Sequence, residues 1–150
     1  MTVSTDLSGL FRRYLSATVL NSLATAEAAG LNATDYYAHN LLDLMGPLTS
    51  GELAAQTGLT TGATTRLIDR LEKAGFVRRR PDPADRRKVM VESVSEPEGL
   101  DEVLKGTRAR LRTVFEGFSE AELAVLCGYF ERATAAYREA TDELITARNA

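Results

Sequence analysis

Apolar residues recur along most of this chain at intervals of three and four, the spacing that puts them on one face of an α-helix. Leu7, Leu10, Phe11, Tyr14, Leu15, Thr18 and Val19 mark a first helix over about 7–28, ended by Gly30. Thr34 and Asp35 open a second helix. Its apolar face is Tyr37, Ala38, Leu41, Leu42 and Met45, and Gly46-Pro47 stops it. Thr49-Ser50-Gly51-Glu52 is a capping box, in which a hydroxyl and a carboxylate satisfy the free amides of a helix start reciprocally. It predicts a short helix over 50–57 with Leu53 and Ala54 inward. Gly58 then permits a left-handed turn. Thr60 caps a helix running to about Ala74, with Thr64, Leu67, Ile68 and Leu71 on its inner face and Gly75 as its stop.

After Gly75 the period falls from 3.6 to 2. Phe76 to Arg80 reads as a short strand, Pro81-Asp82-Pro83-Ala84-Asp85 as a turn, and Lys88 to Glu92 as the returning strand. Ser95-Glu96-Pro97-Glu98 is a second capping box, opening a helix with Leu100, Val103, Leu104, Thr107, Leu111, Val114 and Phe118. Ser119-Glu120-Ala121-Glu122 is a third. Beyond it Leu123, Leu126, Phe130, Ala133, Tyr137, Ala140 and Leu144 alternate in steps of three and four, a heptad seam on a helix over about 120–147. At 1.5 Å per residue that helix is roughly 40 Å long. Its seam needs a cover, either the first helix of the same chain or a second copy.

The fold class is therefore mainly α with a small β-hairpin wing. Two short helices joined by a glycine turn and followed by a basic hairpin make a winged helix-turn-helix. With 150 residues the chain has room for one ordinary domain. Its 44% hydrophobic and 26% charged content is that of a globular protein. No apolar run nears the roughly 18 residues of a membrane span, and the N-terminus lacks the pattern of a signal peptide, so a cytoplasmic location is expected. The single cysteine, Cys127, excludes an internal disulfide and reads as packing beside the seam. The single histidine, His39, excludes a multi-histidine metal site, and no catalytic constellation or cofactor motif is visible.

Net charge, −3, argues against nucleic acid until its distribution is considered. Between Arg66 and Lys88 nine basic residues face four acidic ones, a local +5 against −8 elsewhere. Such a block suits a polyanion, though a solvated charge run has the same composition. On the helix over 61–74, Thr61, Gly62, Thr65, Arg66, Asp69, Arg70 and Lys73 lie opposite the apolar face. Small residues at its start let it enter a major groove, where Arg66 reaches a guanine edge and threonine a base or a thymine methyl. The hairpin tip carries Arg86, Arg87 and Lys88 on a rigid turn suited to a narrow minor groove, with Asp85 placed to hold a guanidinium. Charges at that tip also protect an edge strand from aggregation. Tyr36, His39, Asn40 and Asp43 share the less apolar face of the second helix, as a solvated face or as the lining of an effector pocket.

The run from Leu59 to Arg79 resembles the recognition helix and first wing strand of the MarR family of bacterial regulators. Arg80 to Val89 is similar to the family's wing, with its D-x-R motif at Asp85 and Arg87, and Pro47 to Ala54 is similar to the preceding helix. The resemblance implies a homodimeric, double-stranded-DNA-binding transcription factor, usually a repressor released by a small molecule, here a small aromatic or acidic one. It implies a single domain over 1–150, with helices in 7–46 and 97–147 for dimerisation and a winged lobe over 47–95. It places Arg66 in base reading, Arg87 with Arg86 in the minor groove, and Arg78 near the backbone. Ala63 departs from the family, which often has a hydroxyl there, and Val94 to Pro97 departs from its usual exit from the wing. The alternative is a winged-helix adaptor that binds protein and has lost DNA contact.

Overall fold

The computed structural model describes residues 6–94 and 99–149. Among them the elements run α1 (Leu7–Ala28), α2 (Ala33–Met45), β1 (Leu48–Thr49), α3 (Ser50–Thr57), α4 (Thr61–Lys73), β2 (Val77–Pro81), β3 (Val89–Ser93), α5 (Leu100–Glu116) and α6 (Glu120–Asn149). No helix among them is long and apolar enough to cross a membrane. The chain divides into two compact units, Met1–Leu104 and Lys105–Ala150.

The first unit closes around Leu42, Leu53, Leu67, Ile68, Leu71, Phe76, Val77 and Val91, joined by Ala26, Tyr36, Ala38 and Leu100. The local signals for its helices act as expected. In the Thr49 capping box, Thr49 N–H donates to Glu52 Oε2 at 2.7 Å and Glu52 N–H donates back to Thr49 Oγ1 at 3.2 Å. Gly46, Gly58 and Gly75 each take positive φ, 80°, 67° and 80°, where a side chain would be strained. Helix α2 begins at Ala33, capped by Asn32, rather than at Thr34.

The face of α2 differs from the expected one. Asp35, Tyr36, Ala38, His39, Leu41 and Leu42 are buried, whereas Tyr37 and Met45 are exposed. Helix α2 contacts α1, α3, α4 and β3, so neighbours cover two flanks and draw the half-polar stripe inward. Periodicity of apolar residues alone does not register such a stripe.

The hairpin strands β2 and β3 pair antiparallel from Val77↔Ser93 to Pro81↔Val89, one residue further along the chain than expected. Strand β1 pairs with β3 at Leu48↔Val91 and Thr49↔Met90, giving the sheet order β1-β3-β2. A two-residue strand has no period to detect, and its Thr49 is also the cap of α3.

The second unit holds most of α5 and all of α6. The third capping box is present, with Ser119 N–H donating to Glu122 Oε2 at 2.8 Å and Glu122 N–H donating to Ser119 Oγ at 3.4 Å. The second box, Ser95–Glu98, lies outside the described residues. No residue from Lys105 to Arg148 is buried. Leu111, Val114, Val125, Phe130 and Leu144 are all exposed. Cys127 is exposed as well, which corrects its reading as packing: it follows Leu126 by about 100° around the helix and so falls off the seam.

Candidate nucleic-acid interface

Helix α4 begins at a capped terminus. Thr60 Oγ1 accepts from Ala63 N–H at 3.3 Å, and Thr64, fully buried, donates its hydroxyl to Thr60 O at 3.0 Å. Leu67, Ile68 and Leu71 turn one face inward, leaving Thr61, Gly62, Thr65, Arg66 and Arg70 on the exposed face. The Arg66 guanidinium reaches back along the helix: a β-carbon on Gly62 would lie 3.9 Å from its Nη1. That orientation is the usual one for long helical side chains, which lean toward the N-terminus. Thr65 donates its hydroxyl to Thr61 O at 3.0 Å, so toward solvent it presents acceptor lone pairs and a methyl group.

At the wing tip, Asp82 N–H donates to Lys88 O and Lys88 N–H donates to Asp85 O, each at 2.9 Å, closing the turn. Ala84 N–H donates to Asp82 Oδ1 at 2.8 Å. Asp85 Oδ1 accepts from Arg87 N–H at 3.1 Å and lies 3.6 Å from its Nε. The Arg87 side chain is nonetheless 95% exposed.

Pairing divides the basic block into two classes. Arg70 donates from Nε and Nη2 to the two carboxylate oxygens of Asp35, at 2.9 and 2.6 Å. This bond holds the Arg70 guanidinium above its already high ordinary pKa. Arg79 bridges back to α4, donating to Glu72 and, at 2.6 Å, to Asp69. Arg80 and Arg78 both donate to Glu92 across the hairpin, at 2.5 and 2.6 Å, and hold that carboxyl below its usual range. Arg66, Lys73, Arg86 and Lys88 have no carboxylate within 4 Å among the described residues. The paired cations lie at the roots of helix and wing, and the open ones on the outer face of α4 and at the wing tip. Asp35 was read in the sequence only as part of a helix start. An acidic residue in the first turn of a helix is unremarkable there, and its partner lies 35 positions away.

The four effector-pocket candidates separate. Tyr36 and Asn40 line a groove of about 210 Å³ between α1 and α2, together with Thr18, Ser22, Leu23 and Tyr37. His39 and Asp43 do not. His39 is 4% exposed and packs edge-on against Phe76, their ring centroids 5.6 Å apart, and neither ring nitrogen has a hydrogen-bond partner among the described residues. Burial lowers its pKa, opposed in part by Asp43, which is itself exposed.

Comparison with known proteins agrees with this geometry. The sequence profile of the MarR family matches residues 31–89. The HTH-type transcriptional regulator YcgE of Bacillus subtilis is 39% identical over 122 residues, spanning 81% of this chain and 73% of that protein. The HTH-type transcriptional repressor YetL of the same organism is 33% identical over 90 residues, spanning 57% of this chain and 54% of its own. A MarR-like transcriptional regulator from Thermotoga maritima superposes with a TM-score of 0.61 at 29% identity, covering 89% of this chain and 98% of that one. A winged lobe with its open cations on one helix face and one turn tip, in a chain so related, belongs to the MarR family of DNA-binding transcriptional regulators.

Proposed function

We propose that the protein is a homodimeric repressor that reads a pseudo-palindromic operator and is released by a small aromatic or acidic molecule. The observation that carries the reading is the division of the basic block into paired and open cations. In this reading Thr61, Gly62, Thr65 and Arg66 meet base edges in the major groove, while Arg86, Arg87 and Lys88 enter the minor groove. Arg78, tied to Glu92 but 70% exposed, lies near the backbone, and Asp85 orients Arg87. Dimerisation through the helices in 7–46 and 97–147 is supported by the apolar side chains that α1, α5 and α6 leave exposed. Two-fold pairing would set the two copies of α4 about 34 Å apart, one turn of duplex. The relative named a repressor supports the sign of regulation. The groove beside Tyr36 and Asn40 supports an effector that changes the spacing of the lobes by population shift.

The test is retardation of DNA from the protein's own promoter region against random DNA of equal length, over a series of salt concentrations. Selective retardation that falls steeply with salt is the expected result. Equal retardation of both duplexes, or none, returns the chain to the protein-adaptor alternative.

A further inference from the structure

We infer that Asp35 and Arg70 form a positioning pair for base reading: the buried Asp35 carboxylate grips Arg70 and thereby sets the rotation of α4 about its own axis. The inference rests on α4 being the helix that reads bases. Arg70 lies one turn beyond Arg66 on the same exposed face, so it looks like a second contact to DNA. Its guanidinium, however, already spends two N–H groups on both oxygens of Asp35. Asp35 is 3% exposed and lies in the first turn of α2, where the helix dipole favours a carboxylate. Its own N–H donates to Asn32 Oδ1 at 2.9 Å, so the carboxylate is carried on a fixed piece of backbone.

The apolar residues Leu67, Ile68 and Leu71 decide which side of α4 faces the core, but apolar contact is non-directional and leaves the angle loosely set. A two-pronged arginine–carboxylate bond is planar and directional, and it removes that freedom. On the other flank Arg79 ties Asp69 and Glu72 of α4 to β2. The helix is thus gripped on both sides, and Thr65 and Arg66 are presented at a single angle. Asp35 also offsets the charge of Arg70, so Arg70 releases no counterion on DNA binding. An acidic side chain that never touches nucleic acid is thereby required for sequence discrimination.

The test uses the full chain and two duplexes, one enriched by the unaltered protein from a random-sequence pool and one scrambled. Asp35→Asn is expected to weaken the enriched duplex about tenfold without weakening the scrambled one, since the charge it frees on Arg70 can only favour a polyanion. Arg70→Lys keeps the charge but loses the fork, and should behave the same way. It carries the test if Asp35→Asn does not fold. Wild-type affinity for Arg70→Lys, or a salt slope reduced by about one in Arg70→Gln, would make Arg70 a phosphate contact and overturn the inference. Equal losses on both duplexes in step with a lower melting temperature would overturn it too, leaving the pair a fold-holding contact. Failure of the unaltered protein to enrich any duplex defeats base reading by α4 itself. Enrichment with no effect of either variant defeats this inference alone.

Discussion

The winged lobe and helix α6 both carry regularly spaced apolar residues and end in opposite states. In the lobe, Leu53, Leu67, Ile68, Leu71 and Val91 are almost wholly removed from water by neighbours in the same unit. Along α6, Leu123 and Leu126 are half-buried, while Leu144 is 73% exposed. Short elements joined by glycine turns fold back on one another and close a core. A straight helix of 30 residues, roughly 45 Å long, outruns what a single small unit can cover. The lobe closes its core within the chain, whereas the long helix leaves its apolar side chains exposed or half-buried.

Four measurements bear on that contrast, in descending order of effect. Leu71→Ala empties a fully buried site and should cost about 2–5 kcal/mol in urea denaturation; an unchanged midpoint would show that the lobe does not own its core. Leu144→Glu should leave the lobe's unfolding unchanged while weakening self-association by about 2 kcal/mol or more, read by light scattering or sedimentation. A dimer indifferent to that charge would move the interface off the seam. Within the lobe, Arg87→Ala should weaken operator binding by about 1–3 kcal/mol with no loss of stability. Arg79→Ala, which cuts the tie from β2 to α4, should lower the melting temperature and leave the salt slope unaltered.

The smallest effect is that of His39. Its folded pKa lies below the ordinary 6.5, because a neutral, buried imidazole resists protonation. The unfolded chain binds that proton first as pH falls. Stability is therefore full above 6.5 and is lost below it, toward the lowered value. His39→Leu should flatten this part of a stability-against-pH profile. An unchanged profile would assign the acid sensitivity to another group.

Legibility from sequence followed the range of each interaction. The Thr49 and Ser119 capping boxes, the glycine stops and the two helices flanking Gly58 were readable because each signal spans only a few residues. The open cations Arg66, Lys73, Arg86 and Lys88 were readable as a charge block, but so were Arg70, Arg78, Arg79 and Arg80, which the structure pairs with carboxylates. Counting charge therefore overstates the cationic surface. Tyr36 and His39, read on the less apolar face of α2, are both buried, since which face is inward depends on how many neighbours press on it.

Local chemistry, then, settled where helices start and stop, the order helix–turn–helix–hairpin, and the presence of a basic segment in an acidic chain. Spacing along the backbone is enough for each, because caps, turns and periodicity act within one or two turns of chain. Only the folded arrangement decided which arginines stay open, that Asp35 meets Arg70 across 35 residues, and that His39 enters the core. Those outcomes depend on which distant groups are brought within hydrogen-bond reach, a distance set by packing and not by position in the chain.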